Sequence, residues 1–164
     1  MTIPSETEAL LGALNGQRKH LLGAIEGLPD DDLRRSVMPS GWTPIALVQH
    51  LTIDVEQFWF RGVVGGEPFD LSLPADYGWT VAPDVPPGVI LDRYRAEVAF
   101  GDALIAATDP DAAPKWWPED LFGDYRLHTM REVVFHVMTE TATHAGHLDI
   151  VRELIDRKQW LVLT

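Results

Sequence analysis

Three histidines and one glutamate lie close together near the carboxyl end of the sequence, in the segment VVFHVMTETATHAGHLDIVREL. Glu140 and His144 are four residues apart, a spacing that places two side chains one above the other on a helix and lets both reach one ion. His136 and His147 lie one turn before and one turn after this pair, on the same side of the helix. Two ligands do not make a metal site, so a facing element must supply another.

A helical wheel at about 100° per residue predicts that Glu140 points into the core. Val133, Val137 and Leu154 fall on the same side of this wheel as Glu140, whereas Arg152 falls on the opposite side. A lone buried carboxylate is costly unless it is paired, protonated or bound to a metal. Two interpretations follow for Glu140: it binds a metal, or it forms a hydrogen-bonded pair with a histidine that fixes the register of the helix.

The facing histidine is expected from the second predicted helix. Thr43 can cap this helix, Pro44 can occupy its first position, and His50 is its only histidine. On the wheel of this helix Asp54 lies one turn after His50 and on the same side. We therefore expect Asp54 to orient the imidazole of His50 rather than to bind the ion directly.

Four long amphipathic segments must position these side chains. They are predicted at residues 5–27, 44–64, 86–107 and 129–157, and capping boxes begin the first (Ser5-x-x-Glu8) and the last (Thr129-x-x-Glu132). Residues 67–85 and 109–128 form two long irregular connections, and no segment has the alternation of a strand. The sequence therefore predicts an all-α four-helix bundle, one domain spanning residues 1–164, with a topology that is not a simple series of hairpins.

Composition excludes several classes of function. The 164 residues carry 25 acidic and 13 basic side chains, a formal charge of -12, which disfavours nucleic acid and anionic membranes as partners. The absence of cysteine removes disulfides, thiolate metal sites and cysteine nucleophiles, so any thiol chemistry must use a thiol from outside the chain. Neither a signal segment nor a long apolar run is present, and we expect a cytoplasmic protein.

Two stretches together resemble a known family. GWTPIALVQHLTIDVEQFWFRGVVGGE and the histidine-rich segment near the carboxyl end are similar to the DinB/YfiT-like superfamily, in an actinobacterial branch related to mycothiol-dependent maleylpyruvate isomerase-like proteins. In that superfamily a histidine of the second helix and two residues four apart on the last helix hold a divalent metal. The resemblance assigns these roles to His50, Glu140 and His144, with Gly146 at the position of a recurring glycine.

One position departs from the commonest pattern of the superfamily. Many members have histidine where this chain has Glu140, whereas the maleylpyruvate isomerase branch has glutamate there. His147 stands where other members often have glutamine, so it is either a fourth ligand or a residue of the site wall, and His136 is a further candidate. Two imidazoles and one carboxylate leave coordination positions open and accept zinc, nickel, iron or manganese, of which zinc and nickel are expected.

The resemblance implies an enzyme that uses a small thiol, such as mycothiol, on a small electrophile, as an S-transferase or isomerase. A metal bound at such a site would lower the pKa of the thiol and so produce a nucleophilic thiolate at neutral pH. Two alternatives remain: a non-catalytic metal-binding or ligand-binding dimeric bundle, and a metal-assisted hydrolase. A site with open coordination near a cationic patch favours the transferase, and a filled interior favours the binding module.

The remaining histidines and the tryptophans are assigned no chemistry. His20 and His128 are expected to be ordinary hydrogen-bonded residues. The six tryptophans are expected to serve packing and a dimer surface, in particular the adjacent pair Trp116 and Trp117. A homodimer is therefore expected.

Overall fold

The computed structural model describes residues 5–160, so residues 1–4 and 161–164 of the expected domain lie outside the described part. Within residues 5–160 the chain is helical and forms no strand, as predicted. Its helices are α1 (Glu6–Ile25), α2 (Asp30–Leu33), α3 (Pro44–His50), α4 (Pro87–Ala107) and α5 (Met130–Asp156). α3 continues directly into a π-helical stretch, Leu51–Val64, called the π segment below, and a short 3-10 helix covers Tyr77–Trp79. None of these helices is long and apolar enough to cross a membrane.

The helices begin where the capping residues predict. The Ser5 hydroxyl accepts a hydrogen bond from the amide of Glu8, whose carboxylate in turn accepts one from the Ser5 amide. Thr129 and Glu132 form the same reciprocal pair before α5. Thr43 caps α3 by accepting from the Ala46 amide at 3.2 Å. These starts are predictable because each capping bond joins residues only three apart.

The second long helix has the predicted bounds but not the predicted type. It begins at Pro44 and ends at Val64, yet from Leu51 onwards it is a π-helix. At its end the Gly65 amide donates to the carbonyl of Phe60, five residues back, at 2.8 Å. A π-helix adds a residue to each turn, so the wheel of an α-helix does not describe which face each side chain takes. Apolar periodicity does not distinguish the two helix types.

The long helices pack side by side around one apolar core. α1 lies along α5, and the π segment lies between α4 and α5. Several large apolar side chains are fully buried between these helices, among them Leu14, Leu21, Phe60, Val137 and Leu148.

Two expectations from the wheel of the last helix are wrong. Leu154 is 58% exposed, whereas Arg152 is 5% exposed. The guanidinium of Arg152 donates to the carbonyls of Ala24 and Glu26 at 2.9 and 2.8 Å, where α1 ends. The free carbonyls at a helix end accept hydrogen bonds readily, so a buried arginine is stable there.

The aromatic pair of the second connection packs inside the molecule. Trp117 is 8% exposed and lies against the rings of Trp59 and Phe122. Trp116 is partly buried, with its ring centroid 6.0 Å from that of Phe58. These two tryptophans therefore need no second subunit to cover them.

Candidate metal centre and its cavity

His50 lies at the last position of α3, where the helix becomes π-helical. Its Nδ1 lies 2.8 Å from Oδ2 of Asp54, the first acidic residue of the π segment. Because a carboxylate only accepts, Nδ1 carries the hydrogen of the neutral ring, which leaves the lone pair on Nε2. Asp54 thus contacts the ring of His50 from one turn further along the helix.

The first long connection holds His50 from the other side. The ring of Trp79 stacks on the imidazole of His50, with a centroid distance of 4.2 Å and an interplanar angle of 16°. The preceding residue, Gly78, is buried against Asp54, and a Cβ at this position would lie 1.9 Å from Oδ2 of Asp54. The lack of a side chain at Gly78 therefore allows this connection to approach His50 and Asp54 closely.

α5 supplies the other two candidate ligands. His144 Nε2 and Glu140 Oε2 are 3.7 Å apart, one turn from each other. The ring of His144 lies edge-on to that of His50, with the centroids 5.1 Å apart. One ligand atom each from His50, Glu140 and His144 lies within 4.8 Å of the others. Two imidazole nitrogens and one carboxylate oxygen at these mutual distances fit a divalent ion such as zinc, which such atoms bind at about 2.0–2.2 Å.

Burial keeps His144 neutral. Burial, together with the smaller effects of the neighbouring rings of His50 and His147, lowers the pKa of His144 to about 4. A neutral imidazole is the form that binds a metal. At neutral pH no proton has to leave His144 before an ion binds.

Glu140 differs from its prediction in one respect. Its side chain is 40% exposed, compared with 12% for His144, and it faces a cavity rather than the packed core. The cost of burying this carboxylate is therefore smaller than the wheel implies.

The structure separates the two further histidines from this group. His147 is exposed, and its Nδ1 lies 3.4 Å from Nδ1 of His144, on the side away from Glu140. The Nδ1 of His136 lies 3.2 Å from the hydroxyl of Tyr125, and its ring packs against Trp59. Burial lowers the pKa of His136, and the nearby Glu140 opposes this. Within the described residues, the group of potential ligands contains neither His136 nor His147.

A cavity of about 480 Å³ opens beside the three candidate ligands. Its polar wall includes His50, Asp54, His136 and Glu140, and most of the remaining wall is apolar. Five aromatic side chains line it, those of Phe58, Trp59, Phe69, Tyr77 and Phe122. A largely apolar cavity of this size with a few polar groups at one side is typical of a small-molecule site.

A comparison with protein families matches residues 9–157 to the family described as Mycothiol-S-transferase. The chain belongs to this family. The match confirms the resemblance to DinB/YfiT-like proteins found in the sequence, and it includes all three candidate ligands. Comparison with curated proteins gave no match.

In this member of the mycothiol-S-transferase family, residues of the first long connection that lie beside His50 were not predicted from the sequence. Trp79 stacks on His50, and Trp59 forms part of the cavity wall, although the tryptophans were expected to serve packing and a dimer surface. Gly78 was not singled out. The dipeptide Gly78-Trp79 stands in an irregular connection, where no periodicity indicates which residues face a site.

The other histidines lie where no chemistry was expected. His20 pairs with the carboxylate of Asp149 at 2.8 Å, and His128 is exposed. Neither lines the cavity beside the three candidate ligands.

Proposed function

We propose that this protein is a divalent-metal-dependent S-transferase that joins a small thiol of the mycothiol type to a small electrophile. His50, Glu140 and His144 would hold the ion, for which zinc or nickel is expected. The observation that carries the proposal is the convergence of these three side chains beside an open, mostly apolar cavity, whose wall includes two of them, His50 and Glu140. Membership of the mycothiol-S-transferase family supports the thiol as one substrate.

The chain itself offers no strong nucleophile, since it has no cysteine. A bound divalent ion would lower the pKa of a thiol and so favour thiolate at neutral pH. In the transfer the thiol loses its proton to solvent, its sulfur bonds to the electrophilic carbon, and the leaving group departs with the bonding electron pair.

The residues of this chain have three tasks in that reaction. Asp54 and Trp79 hold the His50 ring in one orientation, so that Nε2 points away from the carboxylate. His147 supports the His144 ring through the contact between their Nδ1 atoms. The aromatic wall around Phe58 and Trp59 binds the apolar part of the electrophile and excludes water from the reacting atoms.

The metal content of untagged protein tests the ligands first. We expect about one divalent ion per chain in the wild type and none in the His144→Ala variant. His128→Ala is the matched control, because it removes an exposed imidazole outside the site and should retain the ion. Metal retained by His144→Ala would contradict the proposed ligand set.

A screen of small thiols with small electrophiles tests the reaction. We expect turnover by the wild type and by His128→Ala, and none by His144→Ala. Turnover that persists without metal would place the chemistry elsewhere. Metal bound by the wild type without turnover would favour the binding module, and turnover without any thiol would favour the hydrolase.

Removal of the metal should also lower stability. An ion that binds only the native state raises the melting temperature by mass action, so a strong chelator should lower Tm in a concentration-dependent manner. The same Tm before and after proven metal loss would favour a Glu140–His144 pair that only fixes helix register.

We further propose a single cytoplasmic domain, a four-helix bundle over residues 1–164, that forms a homodimer. Trp116 and Trp117 no longer support the dimer, because they pack within the chain. Support comes instead from apolar side chains of α5 at the surface, since Phe135, Ile150 and Leu154 are each about half exposed. Light scattering should give twice the mass of the 18.3 kDa chain at micromolar concentration.

A further inference from the structure

The wall of the cavity carries charge of one sign. Asp54, Asp70 and Glu140 all line it, and among the described residues no lysine or arginine does. One of the two features expected of a transferase site, a cationic patch, is therefore absent from this wall, and with it a partner for an anionic substrate. The charge of the wall then bears on which molecules the cavity accepts.

The neighbouring arginines do not compensate for these carboxylates. Arg61 donates to Glu97 at 2.5 Å, and Arg126 donates to Glu119 at 2.8 Å. Arg93 lines an adjoining cavity, to whose wall Asp70 also belongs, and among the described residues no ion pair joins Asp70 to a basic side chain. Arg61 and Arg126 are thus paired with other acids, and Arg93 does not line this cavity.

Asp70 is built to remain ionised. One of its oxygens accepts hydrogen bonds from the amide and the hydroxyl of Ser72, at 2.9 and 2.6 Å, and these bonds lower the pKa of Asp70. Asp54 is held by the ring of His50. The charges of a divalent ion, its Glu140 ligand and one thiolate cancel, so Asp54 and Asp70 would leave the cavity negative even with both groups bound.

The shape of the wall indicates a flat guest. The rings of Trp59 and Phe122 stack at 5.6 Å and 14°, and Phe58 stands edge-on to both. Rings arranged in this way offer faces and edges to a planar apolar molecule. The volume of about 480 Å³ is large enough for one or two aromatic rings.

We propose that the electrophile accepted by this cavity is a flat, apolar molecule that is uncharged or cationic, and that Asp54 and Asp70 exclude electrophiles bearing a carboxylate. The proposal rests on the proposed function and narrows its substrate class. A negative charge placed beside fixed carboxylates costs binding energy and so selects against a carboxylate ligand.

A matched set of nitroaromatic probes tests the proposed exclusion of carboxylates, called the charge rule, and requires no reaction. 4-Nitrobenzyl alcohol, 4-nitrobenzylammonium and 4-nitrobenzoate have similar shape, differ in charge, and quench tryptophan fluorescence when bound beside Trp59. With the full-length protein as purified, we expect the alcohol and the ammonium to bind at least about tenfold more tightly than the benzoate. Equal affinity for the benzoate and the alcohol, or quenching by none of the three, would overturn the proposal.

Substitution of Asp70 locates the effect in the cavity. Asp70→Asn should raise the affinity for 4-nitrobenzoate about threefold and Asp70→Lys about tenfold, while the affinity for the alcohol changes less than about twofold. Asp84→Lys is the control, because it changes the net charge equally at an exposed position outside the cavity. An equal gain in Asp84→Lys would overturn the role of the cavity wall.

This titration is independent of the test of the proposed function. It needs neither thiol nor turnover, whereas the transferase proposal depends on metal content and on thiol-dependent turnover. A protein that discriminates the probes but transfers no thiol would retain the charge rule and lose the transferase. A transferase that accepts carboxylate electrophiles as well as uncharged ones would retain the transferase proposal and contradict the exclusion of carboxylates.

Discussion

The π segment contributes to two polar clusters that differ in how completely their members are paired. Around Glu56, which is 1% exposed, Arg18 donates to both carboxylate oxygens at 2.7 and 2.6 Å. Arg18 also donates to Asn15 and Asp102, at 2.8 and 2.6 Å. Around His50, by contrast, three potential ligand atoms converge, and within the described residues no lysine or arginine pairs with Glu140.

This difference separates a structural cluster from a functional one. The polar groups around Glu56 are joined to one another by hydrogen bonds through Arg18, so the cluster links α1, the π segment and α4 and leaves little capacity for a ligand. Gly101 makes room for it, because a Cβ there would lie 2.9 Å from the Phe60 ring and 3.3 Å from Arg18. The His50 cluster keeps its lone pairs free beside a cavity, which is the arrangement expected of a metal centre.

The largest effect is expected from breaking the paired cluster. Arg18→Met would leave the carboxylate of Glu56 buried without its partner, and we expect a loss of about 3–5 kcal/mol in the free energy of unfolding. Urea denaturation at pH 7 measures this loss. Arg95→Met, which removes an exposed arginine of α4, is the control and should change stability by less than about 0.5 kcal/mol. The metal affinity of folded Arg18→Met should equal that of the wild type.

The same variant gives a pH test of the cluster. Burial raises the pKa of Glu56, and Arg18 opposes that rise. Without Arg18 the pKa of Glu56 should be higher in the native state than in the unfolded state. The stability of the variant should therefore be greatest below the pKa that Glu56 has in the unfolded state. It should fall as the pH rises through the pKa that Glu56 has in the native state. The deficit of Arg18→Met should therefore shrink from pH 7 to pH 5. A loss of stability in Arg18→Met that stays constant from pH 7 to pH 5 would show that the unpaired charge of Glu56 is not its cause.

A smaller effect is expected when the orienting carboxylate of the open cluster is changed. Asp54→Asn replaces the charged acceptor of the His50 Nδ1–H, and the affinity for the metal should fall about 10–100-fold. Competition with a chromophoric chelator measures this change. Asp70→Asn removes another carboxylate of the cavity that does not contact His50, and its metal affinity should stay within about threefold of the wild type.

The part of the first long connection that packs on His50 should not tolerate the addition of one methyl group at Gly78. Gly78→Ala places a Cβ where Oδ2 of Asp54 now lies, so the carboxylate must leave the His50 ring or the loop must move away. We expect the metal affinity to fall about tenfold, in part through the same bond that Asp54→Asn weakens. Gly88→Ala is the matched control, because a Cβ at Gly88 meets no atom within 4 Å. Equal metal affinity of Gly78→Ala and the wild type would show that the close approach of Gly78 to Asp54 is not needed for metal binding.

The smallest effect is expected beside the paired cluster, at a hydroxyl group. Tyr94 is fully buried, and its hydroxyl has no hydrogen-bond partner among the described residues. Burial raises the pKa of this hydroxyl, so it stays neutral. Tyr94→Phe removes an unpaired polar atom and should change the free energy of unfolding by less than about 0.5 kcal/mol. A loss above about 1 kcal/mol in thermal or urea denaturation would indicate a bond that the structure does not contain.

Much of the helical structure was predictable from the residues. Both capping boxes, the Thr43 cap and the bounds of the long helices agree with the structure to within a few residues. The proximity of the Glu140 and His144 side chains, one turn apart on α5, was equally predictable. All these features depend on side chains three or four residues apart, so local sequence contains the necessary information.

Other features could not be obtained from a helical wheel. The wheel treats residues 51–64 as an α-helix, although they are π-helical, and it exposes Arg152 and buries Leu154, although the reverse is true. Both errors have the same origin, because a wheel assumes one regular twist and ignores what the neighbouring elements offer. The carbonyls at the end of α1 attract Arg152 into the interior.

The sequence thus specified the helices, their ends and the residue types able to bind a metal, because these depend on contacts between near neighbours in the chain. Only tertiary packing brought His50 to Glu140 and His144, laid Trp79 on His50, and formed the acidic, aromatic cavity beside them. Such contacts join residues far apart in sequence, and two of the participants, Gly78 and Trp79, come from a connection without periodicity. Their positions depend on how the helices pack and on the path of the connection across them.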